Sequence, residues 1–291
     1  MSVAAFDLQY HAGQERQSGQ DLSAYVEHAM ITGRRVLGMT DHIEIYIGDS
    51  DKEGPYDKSL DGLRAYYDDV RRMDASTDEV QLLFAPELGS SFDFDTLPDE
   101  IVDLADLFIC EVPVPSMDPD ENTPVMIERM ESIAAFRARV NTPVFFAHPF
   151  RSPINNRLVK RDIDPWVSGL DPRPPGDWSI ETINRFMTFA VDRVASTAVE
   201  LDLPVEINGN SHYRARGANL PAVIQLLYAA YGHMHESGVE FVPGSDQHGF
   251  MSHIGRCGGY VPWETFAAID VDITDLTHLA DLGVESQWFN R

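Results

Sequence analysis

The 291-residue chain has little cysteine and few basic residues. Its two cysteines, Cys110 and Cys257, lie far apart, and neither has a second cysteine nearby. This spacing excludes a disulfide framework and a cysteine-based zinc knuckle. Only 22 Lys and Arg residues stand against 47 Asp and Glu residues, which gives a net charge of −25. Such an acidic surface repels nucleic acids and anionic membranes, and it therefore disfavours a long nucleic acid or a membrane as partner.

Long hydrophobic runs and phosphate-binding loops are also missing. No stretch of eighteen apolar residues occurs, and no charged-then-apolar leader, so the sequence argues against a membrane span or a signal peptide. We therefore expect a soluble, cytoplasmic protein. A glycine-rich phosphate loop and an internal repeat are likewise absent. What is present is a globular composition, 43% hydrophobic and 10% aromatic, with enough length for a large core.

Short apolar runs alternate along the chain with segments of helical periodicity. The runs predict strands at Val3–Leu8, Val36–Met39, Gln81–Ala85, Ala105–Cys110, Val144–Ala147, Val205–Asn208 and Val239–Val242. Helices are predicted from Leu22 to just before Gly33, and at Leu60–Met73, Asp99–Leu104, Pro124–Val140, Ile180–Leu201 and Leu220–His235, with one or two more in Trp263–Asn290. At least seven β units in this length favour a single-domain α/β protein, a distorted (β/α)7-type TIM-like barrel, over a doubly wound sheet.

One segment, about 149–178, interrupts this alternation. It contains six prolines, which rule out a long regular element. Because a loop of this length inside a compact domain usually has a function, we expect a Pro-rich lid or binding loop here.

The predicted strands end on residues that can bind metals. These residues are His11 beyond the first strand, Asp41 and His42 at the second, Glu87 at the third, His148 at the fifth, and Asp246 and His248 at the last. The carboxyl ends of barrel strands meet at one face, so these side chains should converge. Imidazole and carboxylate ligands suit zinc, manganese or iron. Two or three such ions can hold an oxyanion and generate hydroxide near neutral pH, which is what hydrolysis of a phosphate ester needs.

The motifs that contain these residues resemble those of the PHP (polymerase and histidinol phosphatase) family, in the same order. The matching segments are Asp7–His11, Thr40–His42, Glu87, His148–Pro149, Glu206–Asn208 and Gly244–His248. The resemblance implies a barrel with a trinuclear metal site, whose ligands here would be His11, His42, Glu87, His148, Asp246 and His248. By the family's pattern, one ion would be shared by His11, Glu87 and Asp246, a second by Glu87 and His148, and a third by His42 and His248.

The chain departs from the family's pattern in three places, one of which is the absence of a third ligand expected a few residues past His11. Gln9 occupies the place of the first histidine of the opening motif, and Glu111-Val112-Pro113 stands where the family commonly has Ser-Val-His. A neutral amide is a far poorer ligand for a transition metal, and Pro113 cannot bind one. Two readings follow: the site holds fewer ions than its relatives, or Glu111 and Glu15 replace the missing imidazoles.

Basic residues, rare in this chain, follow several of the strands that supply the ligands. They are Arg151, Arg157, Lys160 and Arg161 on the Pro-rich loop, Arg214 and Arg216 after the Glu206 strand, and Arg256 after His248. Such bases can clamp a phosphate or carboxylate through bidentate hydrogen bonds. The predicted reaction is attack of a metal-bound hydroxide on phosphorus, with Asp41 or Glu15 as the proton carrier.

The leading functional prediction is a metal-dependent phosphoesterase that acts on a small phosphorylated metabolite or nucleotide. A second prediction keeps the metals and the barrel but changes the bond, to a lactone, amide or other carbonyl substrate, or to a lyase reaction. A third takes Gln9 and Pro113 as a sign that the chemistry is lost and that the barrel is a metal-depleted binding module.

Overall fold

The structure, a computed structural model, describes residues 5–14, 21–48, 54–112, 119–150, 190–209, 221–248 and 263–271. The strands are β1 Phe6–His11, β2 Val36–His42, β3 Gln81–Leu88, β4 Phe108–Cys110, β5 Val144–Phe146, β6 Val205–Asn208 and β7 Phe241–Gly244. The helices are α1 Leu22–Ile31, α2 Glu44–Ile47, α3 Leu60–Asp74, α4 Asp99–Leu104, α5 Pro119–Arg137, α6 Asp192–Glu200, α7 Pro221–Glu236 and α8 Trp263–Ala268, with a 3-10 turn at Phe94–Thr96.

All seven strands are parallel and follow one another around the sheet in chain order. The two edge strands then approach each other, because Tyr10 forms a parallel bridge with Gln247. Two backbone hydrogen bonds reinforce this seam, from Asp246 N to Gln9 O at 2.8 Å and from His11 N to Gln247 O at 2.9 Å. The result is a nearly closed seven-stranded barrel surrounded by helices, which confirms the predicted fold class.

The helices bury one face against the barrel, as their periodicity predicts. In α5 the side chains of Met126, Met130, Ile133 and Phe136 are buried, and Ile127 packs partly buried against the same core. The strands are covered on both faces, which explains why their apolar runs are continuous rather than alternating. Among the described residues, no helix combines the length and the apolar character needed to span a bilayer.

The predicted boundaries differ from the observed ones mainly where strands continue into polar residues. The bounds of strand β6 and helix α4 match their predictions. Strand β2, however, extends past Met39 to His42, and β3 extends past Ala85 to Leu88. Apolar character stops at Met39 and Ala85, but backbone pairing between the two strands continues to His42 and Glu87. Residues 151–178 of the predicted lid lie outside the described part of the chain.

A buried arginine of α5 holds together the loops that follow β3 and β4. The Arg129 guanidinium donates to Phe92 O and Gly89 O, both at 2.8 Å, and to Glu111 O at 3.2 Å. It also lies over the Phe94 ring, 4.1 Å from its centroid. Because Arg129 is only 9% exposed, these carbonyl groups have little water to replace it. Arg129 therefore fixes the backbone on either side of Glu87 and Glu111.

We expect Arg129→Met to lower the free energy of unfolding by about 2–4 kcal/mol. A hydrogen bond to a charged group contributes roughly 1.5–3 kcal/mol, and relief of the cost of burying the guanidinium offsets part of the sum. Urea denaturation measures the change. The control is Arg72→Met, since Arg72 is 73% exposed and pairs with Asp69 one turn earlier; it should change stability by less than about 0.5 kcal/mol. Equal urea midpoints for the two variants would contradict this role of Arg129.

Candidate metal centre

The first three predicted ligands are placed by the register of β1, β2 and β3. His11 and His42 are the last residues of β1 and β2. Parallel pairing sets His11 beside Thr40, and His42 beside Glu87. Neighbouring strands thus deliver two imidazoles and a carboxylate to the same end of the barrel, as expected for carboxyl ends of parallel strands.

The remaining ligands lie just past their strands in an unusual backbone conformation. His148 follows β5 and Asp246 follows β7, each two residues beyond the strand end. Their φ angles are 33° and 53°, in the left-handed region that residues other than glycine adopt at a cost of about 1–3 kcal/mol. A hydrogen bond of 3.0 Å from His148 N to Glu206 Oε2 holds the first of these turns. At both positions, this backbone conformation directs the side chain of a candidate ligand into the site.

Glu87 is the point on which the imidazoles converge. Its Oε2 lies 3.0 Å from His11 Nε2 and 3.6 Å from His42 Nε2, and its Oε1 lies 3.4 Å from His148 Nε2. Burial alone would raise the pKa of Glu87, but the adjacent His42, His11 and His148 hold that pKa well below its usual range. Glu87 is therefore an ionised carboxylate with ring nitrogens on both oxygens, the arrangement of a bridging ligand.

Asp246 and His248 complete the group beside His11. Asp246 Oδ1 lies 3.5 Å from His11 Nε2 and 3.4 Å from His248 Nδ1, and the His11 and His248 rings stack with centroids 3.8 Å apart. His248 Nδ1 is also 3.1 Å from Asp246 O. In the tautomer with the proton on Nδ1, His248 donates to this carbonyl and presents the Nε2 lone pair to a cation.

The side chains form two groups whose spacing fits a divalent cation. One is His11, His42 and His248; the other is His42, Glu87 and Glu111; within each, one ligand atom per residue lies within 4.8 Å of the others. Ligands about 2.0–2.3 Å from a common ion are separated from each other by roughly 3–4.5 Å. Glu87 Oε2 is buried and accepts no hydrogen bond within the described structure, which a cation would remedy. The donor set therefore fits one or more transition-metal ions.

Gln9 is part of a buried hydrogen-bond chain. Its Nε2 donates to Glu87 Oε1 at 2.9 Å, and its Oε1 accepts from Asn208 Nδ2 at 3.2 Å. Asn208 Nδ2 also reaches Glu206 Oε2 at 3.1 Å. Both polar atoms of the Gln9 amide are thus hydrogen-bonded, and Gln9 positions the candidate ligand Glu87.

Glu206 sits beside this chain as a wholly buried acid. Burial, together with the negative charges of Asp246 and Glu87, raises the pKa of Glu206 well above its usual range. Its Oε1 lies against β7 at Gly244, where a Cβ atom would fall 1.9 Å from it, so only glycine leaves room for the carboxyl group. Glu206 thus supports the His148 turn and the Asn208 amide.

Asp41, predicted as a proton carrier, lies beside the ligands with both oxygens in hydrogen bonds. Oδ1 accepts from His42 N at 3.1 Å, and Oδ2 accepts from Tyr46 OH at 2.7 Å and from Gln14 N. The carboxylate is only 2% exposed. These contacts anchor the loops after β1 and β2, and the catalytic role of Asp41 stays a prediction.

The predicted anion-binding bases lie outside the described residues. The second predicted proton carrier also lies outside them, as does the proline that stands where the resembling family commonly has the histidine of Ser-Val-His. They are Arg151, Arg157, Lys160, Arg161, Arg214, Arg216, Arg256, Glu15 and Pro113. Their assignments stay predictions.

Two supporting residues, Asn208 and Arg129, are not predicted by the sequence patterns. Asn208 belongs to the Glu206–Asn208 motif, and its period-two spacing from Glu206 on a strand places both on the same face; that signal was available. Arg129 has none, because its partners are three backbone carbonyls distant in sequence. A charged residue in a predicted helix is ordinarily read as exposed.

The barrel is similar to those of solved enzymes. Histidinol phosphate phosphatase from Lactococcus lactis subsp. lactis Il1403, solved with zinc, L-histidinol and phosphate, matches over 94% of this chain and 93% of its own, with a TM-score of 0.57 and 13% identity. Dihydropyrimidinase from Brevibacillus agri NCHU1002 covers 94% of this chain and 68% of its own, with a TM-score of 0.47 and 12% identity. No protein-family model and no curated protein sequence matches the chain. At 13% identity, the similarity to the phosphatase establishes a shared barrel fold.

Proposed function

We propose that this protein is a metal-dependent hydrolase of the PHP type that cleaves phosphate esters of small metabolites or nucleotides. The observation that carries the proposal is the convergence of four imidazoles on Glu87 and Asp246 at one barrel mouth. The barrel it shares with a phosphatase solved with zinc and phosphate supports the choice of reaction. Bound divalent ions would supply Lewis-acid stabilisation and a hydroxide nucleophile near neutral pH.

The residues of the chain divide the remaining tasks among them. Glu87 and His148 would hold an ion on one side of the mouth, and Asp246 with His11, His42 and His248 on the other. Exposure increases from Glu87 and His11 outward, since the His42 side chain is 20% exposed and the His248 side chain 17% exposed. A substrate phosphate would therefore approach from the side of His42 and His248. The arginines on the loops after the strands would bind its free oxygens.

Removal of a single ligand should abolish most of the activity. We expect His148→Ala and Asp246→Ala each to lower kcat/KM for phosphate release at least about 100-fold, because the variants lose a ligand rather than a supporting contact, for which 10–100-fold is usual. Phosphate release from a panel of small phosphate esters, with manganese, zinc or iron(II) added, measures the effect. His235→Ala, on the outer helix α7, is the control and should retain wild-type kinetics.

If metal-loaded protein releases no phosphate from any ester of the panel, hydrolysis of a carbonyl substrate on the same barrel becomes the better hypothesis. If either ligand variant retains full activity, its assigned role is wrong.

Metal removal should reduce stability as well as activity. Without a cation, the neighbouring carboxylates repel one another and the polar atoms of the site are incompletely hydrogen-bonded. A ligand at 100 times its Kd stabilises the folded state by about 2.7 kcal/mol. We expect the Tm to fall on treatment with a chelator and to recover when manganese or zinc is restored. Differential scanning calorimetry measures this. An unchanged Tm, together with no bound metal by elemental analysis, would favour the metal-depleted binding module.

A further inference from the structure

We propose that Glu111 is a metal ligand, and that Glu87, Glu111 and His148 form an oxygen-rich second ion position that accepts manganese or iron(II) more readily than the imidazole-rich position does. The inference rests on the proposed metal centre and concerns how its positions differ. It assigns to Glu111 the place that Pro113 cannot fill.

The backbone delivers Glu111 to the mouth of the barrel directly after β4. Glu111 N donates to Leu88 O at 2.9 Å, which prolongs the pairing of β3 with β4. The Glu111 side chain is 14% exposed, and its Oε1 lies 3.6 Å from His148 Nε2. Ligand atoms of His42, Glu87 and Glu111 lie within 4.8 Å of one another. Glu111 is thus within reach of an ion held by Glu87 and His148.

The charges around Glu111 favour a cation at this point. Glu87 and Glu111 bring two carboxylates together at the barrel mouth. Arg129 is nearby, but its hydrogen bonds go to the carbonyls of Gly89, Phe92 and Glu111 itself. In a site of low dielectric, a divalent ion is the strongest means of offsetting such like-charge repulsion.

A second and independent observation points to a ligand. The side chain of Glu87 is 1% exposed, and its Oε2 lies 3.0 Å from His11 Nε2 and 3.6 Å from His42 Nε2, neither of which meets it with the geometry of a hydrogen bond. A buried carboxylate oxygen without a donor costs free energy unless a cation or proton occupies its lone pairs. The other oxygen, Oε1, accepts from Gln9 at 2.9 Å. Glu87 Oε1 also lies 3.4 Å from His148 Nε2, so Glu87 offers one oxygen to each ion position.

The two ion positions differ in ligand type. His11, His42 and His248 offer three imidazoles, a set that suits zinc. The position at Glu111 offers two carboxylates and one imidazole, and carboxylate oxygens favour the harder ions manganese and iron(II) relative to nitrogen ligands. The two positions should therefore rank the same metals differently.

The test is titration of metal-free protein with Mn²⁺ and with Zn²⁺. Isothermal titration calorimetry measures the binding of both ions, and the electron paramagnetic resonance signal of free Mn²⁺ measures the binding of Mn²⁺. The wild-type chain should bind two Mn²⁺ ions. Glu111→Gln should weaken one of them at least about 10-fold and leave the other unchanged. Glu111→His, which restores an imidazole, should keep two sites and shift the Zn²⁺-to-Mn²⁺ affinity ratio of one site about 10-fold toward zinc. Glu79→Gln, at an exposed position, is the matched control and should titrate like the wild type.

Wild-type Mn²⁺ affinity at both sites of Glu111→Gln, or an unshifted metal preference in Glu111→His, would overturn the proposal. No substrate enters this titration, so its outcome is separate from that of the proposed phosphatase activity. A protein that binds two ions through Glu111 but cleaves no phosphate ester would overturn only the proposed function. A protein that cleaves phosphate esters with an unaltered Glu111→Gln titration would overturn only this inference.

Discussion

The structure depends on one buried carboxylate. Glu87 is almost completely removed from solvent, and burial alone would raise its pKa. It is ionised because strands from both halves of the chain direct imidazoles at it: His11 and His42 from β1 and β2, and His148 from beyond β5. A buried charge is tolerable only when its partners are correctly placed. The barrel must therefore close in the right register for this group to be accommodated.

Closure and site geometry are consequently the same problem. The seam between β1 and β7 passes through Gln9 O and Asp246 N, which are the backbone of a residue touching Glu87 and of a predicted ligand. His148 and Asp246 adopt left-handed backbone, a strain that only a rigid frame can maintain. Arg129 adds such rigidity from outside, by holding the loops after β3 and β4. The fold thus tolerates an energetic cost at these positions, because it directs the candidate ligands into the site.

The sequence predicts the strands and the ligand types because both leave local signals. An apolar run that ends at Asp41 and His42 marks the strand end where these residues lie, and the runs before Glu87 and Asp246 do the same. Pairings across the barrel leave no such signal: Gln9 and Asn208 are 199 residues apart, and their hydrogen bond follows from closure alone. Strand ends are misjudged for a related reason. Backbone pairing continues from Ala85 through Pro86 to Glu87, although the apolar pattern has already stopped.

Gln9 shows how a neutral amide can position a candidate metal ligand. An imidazole at this place could bind an ion through a ring nitrogen, whereas the amide Nε2 donates to Glu87 Oε1 and the amide Oε1 accepts from Asn208. The donated hydrogen bond makes Glu87 Oε1 a weaker ligand and leaves Oε2, which faces His11 and His42, as the stronger one. With an amide rather than an imidazole at position 9, the candidate site has a larger share of carboxylate oxygens. In the proposed centre, the acids near the mouth, Glu111 among them, would then set which ions bind best.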